Sequence, residues 1–136
     1  GTRSHPRSRK FPAPILQQLR EQETINALRI LGVESSAVTF LRLPDGSIAD
    51  YVPSTLARIS NYLRTTRPST IFLPWRCDPH PDHRATWQLF HQAISSLPIV
   101  PRIIEYPIWD WDIEQRGTVT TTAKITGWRL DITNVA

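Results

Sequence analysis

Apolar and polar positions follow two rhythms along this chain. From Pro14 to Leu31, the residues Ile15, Leu16, Leu19, Ala27, Leu28 and Leu31 recur at helical spacing, and Ile25 and Ile30 widen the stripe. The pattern predicts a first helix, with Pro14 in its opening turn and Gly32 at the left-handed position just past its end. Val38 to Leu43 reads as a short strand, and Pro44-Asp45-Gly46-Ser47 has turn chemistry. A second helix is expected over Ser54 to Thr66. Leu56, Ile59 and Leu63 form its buried stripe, Ser54 or Thr55 is the expected cap, and Pro68 ends it.

The rhythm then shortens. Thr70 to Leu73 is apolar on both faces, as an interior parallel strand is. A polar turn follows, and after it Ala85 to Leu97 returns to helical spacing and stops before Pro98. Ile103 to Tyr106 reads as another strand. Within Lys124 to Ile132, alternation of Trp128, Leu130 and Ile132 marks one more. Residues 1–13 have no period and read as loop. Helices between strands imply right-handed crossovers and a parallel sheet, hence an α/β layered fold.

Length and composition narrow the picture without deciding it. A chain of 136 residues is at most one domain and can bury a real core. No apolar run approaches the ~20 residues of a membrane span. Cys77 is the only cysteine, which rules out a disulfide framework within the chain and is compatible with a reducing, cytoplasmic compartment. The formal net charge is +4, and Arg3, Arg7, Arg9 and Lys10 crowd the first ten residues. No aromatic residues are interleaved with those charges, so a solvated basic loop is preferred to a nucleic-acid arm.

The chemistry concentrates in the polar turn Cys77-Asp78-Pro79-His80-Pro81-Asp82-His83-Arg84-Ala85. Strand, polar turn, helix is how an α/β fold presents a site at the carboxyl end of its sheet. Imidazole and carboxylate are ligands of a hydrolytic zinc site. Pro81 suits the first helical position, which makes His80 the cap residue and puts Asp82 and His83 in the first turn. A residue before proline is pushed out of helical torsions, so His80 should be extended, and Pro79 further limits its backbone. The positive end of the helix favours the Asp82 carboxylate and the neutral imidazole of His83, the form a metal binds. The other histidines do not complete a site: His91 lies too far along the same helix, and His5 sits in the basic loop. The competing reading is that the two histidines are idle or merely cap the helix.

Pro74 to Ala85 resembles the second signature of the PIG-L/LmbE-like zinc-dependent N-acetylglucosamine deacetylases. Gly1 to Ser8, Leu19-Arg20-Glu21-Gln22-Glu23 and Ala27 to Val33 are similar to the family's segment after its second strand. Phe40-Leu41-Arg42-Leu43-Pro44-Asp45-Gly46 is similar to its next strand and turn. The resemblance runs in order from residue 1 to about 95. It implies a Rossmann-like fold, a Zn2+ cofactor or another divalent metal, and an N-acetylated sugar or glycoconjugate as substrate. It implies that His83 is a metal ligand. His80, in its protonated form, would stabilise the oxyanion, with Asp82 orienting it by a hydrogen bond. Arg20 and Asp45 match positions that hold the sugar. Asp78, two residues before His80, is within reach of the site at a position where the family varies.

One departure shapes the expectation. The family's first signature, with its His-Pro-Asp-Asp, supplies the other ligands and the general base, and this chain does not contain it. The sequence therefore reads as part of a single LmbE-like domain over 1–136, incomplete at both ends, inactive alone and dependent on a preceding segment of the same protein. Homo-oligomers are left open. A non-catalytic carbohydrate- or partner-binding module derived from the fold is the alternative, with a basic nucleic-acid binder or another metal hydrolase behind it. Tyr106, Trp109 and Trp111, with Asp110 and Asp112, could line a sugar or could be ordinary packing.

Overall fold

The computed structural model describes residues 12–108, the side chain of Val52 apart. The expectations for the basic N-terminal loop with His5, for Trp109 to Asp112 and for the strand near Trp128 fall outside them. In chain order the elements are α1 (Ala13–Ile30), α2 (Val52–Thr66), β1 (Thr70–Pro74), α3 (Pro81–Ser95) and β2 (Arg102–Tyr106), with short 3₁₀ turns at Ser35–Ala37 and Ile48–Tyr51. β1 and β2 pair in parallel, from Thr70 opposite Arg102 to Pro74 opposite Tyr106, and α3 is the crossover between them. This is the expected α/β arrangement.

The core lies where α2 and α3 meet over the sheet. Ile59 and Leu63, one turn apart on α2, are buried with Leu89, Ala93 and Ile94 of α3. Leu41, Leu56, Ile71, Phe90, Leu97 and Ile103 close around them. The buried positions of α3 continue toward its start through Ala85 to Asp82, a stripe at helical spacing that ends in a carboxylate.

Each helix ends for a readable reason. Past α1, Gly32 has φ 77°, its N–H donates to the Arg29 carbonyl (3.0 Å), and the Val33 N–H reaches back to the Leu28 carbonyl (2.9 Å). That is a Schellman closure, and only the positive φ calls for glycine, since an added Cβ would meet nothing within 4 Å. Arg67 ends α2 in the left-handed region, with φ 45° and its N–H on the Leu63 carbonyl (2.9 Å). Pro68 follows and disfavours the helical alternative for Arg67.

Three local expectations need correction. Val38 to Leu43 is not a strand: no described strand pairs with it, and Arg42, at φ 56°, breaks the extended run. Ser54 and Thr55 do not cap α2, because the helix begins earlier, running on from the 3₁₀ turn; the Ser54 hydroxyl donates to the Tyr51 carbonyl (3.1 Å) and Thr55 is buried. β1 is not covered on both faces by the described residues, since Phe72 is 64% exposed.

Candidate active site

The site is built on the loop between β1 and α3. The Trp75 N–H donates to the Tyr106 carbonyl (2.9 Å), carrying the ladder one residue past β1, and the Asp78 N–H then bends back to the Trp75 carbonyl (3.0 Å). A guanidinium nitrogen of Arg84 donates to the carbonyls of Asp78 (2.7 Å) and Pro79 (2.8 Å), bracing the loop from the first turn of α3. On the outer side, Arg76 donates from its backbone N–H (3.0 Å) and its side chain to Glu105 of β2. That carboxylate holds the guanidinium more firmly protonated than usual.

Asp78 is fully buried, with 0% of its surface exposed. A carboxylate in that position must be paired with donors. It accepts the His80 N–H (2.9 Å) and the Ile108 N–H (3.2 Å), and it lies 2.9 Å from Nδ1 of His83. An ionised carboxylate can only accept, so this Nδ1 carries the proton and Nε2 of a neutral His83 keeps its lone pair.

His80 has the opposite arrangement. Its extended backbone, φ −77° and ψ 126°, is what Pro81 requires of it, and it is the N-cap of α3. Its Nδ1 accepts the N–H of Asp82 (3.2 Å), one of the donors a helix start leaves without an intrahelical partner. A nitrogen that accepts has no proton, so the neutral ring carries it on Nε2. In the neutral ring the donor compatible with the cap is Nε2–H. The two rings stack with centroids 4.6 Å apart and planes 29° from parallel. Side by side, the two neutral rings with these partners would present an Nε2–H from one and an Nε2 lone pair from the other.

Asp82 joins this pair to a cleft. It is only 6% exposed, and its carboxylate accepts the N–H groups of Gly46 (2.6 Å) and Ile48 (3.2 Å). Position adds to these bonds, because the first turn of a helix favours negative charge. The contact between Asp82 and the His80 ring runs through the Asp82 backbone N–H, while its carboxylate engages the 46–48 turn. The turn itself closes from the Ser47 N–H to the Pro44 carbonyl (3.3 Å), with Gly46 at φ 79°, the positive angle that a type II turn requires at its third residue.

The cleft is open, about 310 Å³, and runs between α1 and this turn. Arg20, Glu21 and Thr24 line it from α1, Phe40, Leu43, Asp45 and Ile48 from the connecting segment, and Asp82 from α3. Arg20 and Asp45, far apart in sequence, thus share one wall space. Arg20 is exposed and pairs with Glu23 (2.7 Å). Glu21 takes a two-pronged ion pair from Arg42 (2.8 and 3.0 Å) and a bond from Gln17 (3.1 Å), and these hold its carboxyl below its ordinary range. His91 is elsewhere: its ring stacks on Trp87 at 4.6 Å.

Comparison with known families now decides the identity. Residues 1–94 match the PIG-L family, described as GlcNAc-PI de-N-acetylase. The chain belongs to the PIG-L family. No solved structure matches it. Membership places the chain among deacetylases and related hydrolases with a Rossmann-like fold, and it points to a sugar-type substrate. Among the described residues no helix is long and apolar enough to cross a membrane.

The PIG-L family is generally metal-dependent, and the donor chemistry of this loop fits that dependence in part. His83 holds its Nδ1–H against a buried carboxylate and keeps Nε2 for a cation, the usual arrangement of a metal-binding imidazole. Among the described residues no three His, Cys, Asp or Glu side chains converge to hold a metal. His83 can therefore contribute one ligand of a set.

Sequence reasoning had placed Asp78 near the site without giving it a task. A signal was available, because an aspartate two residues before an N–H it can accept forms an Asx turn. Glu21, Thr24, Phe40 and Ile48 gave no such signal; only the fold brings them to the cleft.

Proposed function

We propose that this chain belongs to a metal-dependent hydrolase that removes the acetyl group from an N-acetylglucosamine-type sugar or a related amide. The stacked imidazoles, His80 with its Nδ1 on the Asp82 N–H and His83 with its Nδ1 2.9 Å from the buried Asp78 carboxylate, are the observation that carries this reading. In this reading residues 1–136 are part of one deacetylase domain, and the remaining ligands and the general base come from outside residues 12–108.

The metal, zinc in the first instance, supplies when bound a Lewis acid for the amide carbonyl and an acidified water. His83 gives it the Nε2 lone pair. His80 directs Nε2–H at the carbonyl oxygen as that atom gains negative charge, and the capping bond holds the ring in place without reorganisation during the reaction. Arg20 and Asp45 bind the sugar in the cleft, and Asp82 keeps the Asp45 turn at a fixed distance from the imidazoles. The products are acetate and a free amine.

The test is acetate release from N-acetylglucosamine conjugates by the full-length protein. His80→Ala should lower turnover by about 10²–10³-fold, the usual cost of one oxyanion donor, with metal content unchanged. His83→Ala should lose metal. Near-normal turnover in the first variant or unchanged metal content in the second overturns the assignment. A metal-loaded protein that binds these sugars and releases no acetate would instead be the non-catalytic module.

A further inference from the structure

We infer that Asp78 is the positioning residue of the imidazole pair: one buried carboxylate sets which nitrogen of His83 is available to a cation and where the backbone of His80 begins its turn into α3. This rests on the proposed role of His83 as a metal ligand.

Three observations carry it. Asp78 is wholly buried, and its known partners include two groups of the site, the His83 ring at 2.9 Å and the His80 N–H at 2.9 Å. Its other oxygen accepts the Ile108 N–H just past β2, so the carboxylate is also held from outside the imidazole pair. The acceptor character of the carboxylate forces the proton of a neutral His83 onto Nδ1 and leaves Nε2 electron-rich. Without Asp78 the Nδ1–H would lose this acceptor, and Nε2 would compete for the proton.

A purely architectural Asp78 would brace the loop and nothing more. The two roles separate in a spectroscopic readout that loop bracing does not move. Long-range 1H–15N spectra of the metal-free full-length protein should show His83 protonated on Nδ1 and His80 on Nε2. In Asp78→Ala, His83 should shift toward the Nε2–H form. Chelator competition for Zn2+ in the full-length protein should show affinity lowered by about 10–100-fold, the usual effect of losing such a partner. Asp78→Asn keeps an acceptor and removes the charge, so it should keep the Nδ1–H form and lose less affinity than the alanine variant.

Wild-type His83 protonated on Nε2 would overturn the inference, and that spectrum decides even if the alanine variant does not fold. So would unchanged Zn2+ affinity in Asp78→Asn and Asp78→Ala. His83→Ala, measured alongside, separates the two claims. Unchanged affinity there removes the ligand assignment itself. Lost affinity there, with none lost in the Asp78 variants, removes only the positioning role.

Discussion

α1 and α3 read almost alike as apolar stripes, yet they stand differently in the molecule. α3 buries Asp82, Ala85, Leu89, Ala93 and Ile94, and it meets α2, β1 and the 3₁₀ turn at 48–51. α1 buries Leu16 alone, and Ile15, Leu19 and Ile30 stay exposed. Periodicity states which face of a helix is apolar. It does not state whether anything receives that face. α3 is held by a core that it helps to build. Among the described residues α1 is held by local devices: its Schellman closure, its side-chain pairs three and four residues apart, and the Arg42 clasp on Glu21.

The sharpest way to break this contrast is to truncate one apolar side chain in each helix. Leu89→Ala should cost about 2–5 kcal/mol, measured by chemical denaturation, because it leaves a cavity at the centre of the core. Leu19→Ala, its counterpart on α1, should stay within about 0.5 kcal/mol. Equal losses would mean that α1 is packed as firmly as α3.

A smaller effect tests the local devices. Gly32→Ala should cost on the order of 1 kcal/mol, since the penalty is the left-handed backbone alone and the added Cβ has room. A gain in stability would show that the closure of α1 is not a Schellman motif in solution.

The smallest effect is the pH dependence of the clasp. Arg42 holds the Glu21 carboxyl below its ordinary value near 4.5, so its contribution is present above that value and is lost as pH falls through the depressed one. The stability difference between the wild type and Arg42→Ala should be slight at neutral pH and vanish in acid. A difference that grows on acidification contradicts the clasp.

The same contrast explains what was legible in the sequence. The three helices and two strands were readable, because each carries its own period and its own punctuation: Pro14 and Gly32 around α1, Pro68 after α2, Pro81 at the start of α3. Val38 to Leu43 was misread because a strand needs a neighbour, and because nothing in the residues announces a positive φ at Arg42. The His80 cap was legible from the proline after it. The task of Asp82 was not, since its side-chain partners lie 34 and 36 residues away. Asp78 was visible as a residue and obscure as a function. Its burial is a property of the folded loop, and burial is what turns an ordinary aspartate into a fixed acceptor.

Asp82 has one more consequence. Its carboxylate grips the turn beside Asp45 while its amide donates to the His80 ring, so cleft wall and imidazole are tied through one residue. In the proposed deacetylase that linkage would act as a built-in ruler. A guest whose acetyl group lies at the wrong span from its anchored end would dock yet miss the donor, and selectivity would then be written in kcat before KM.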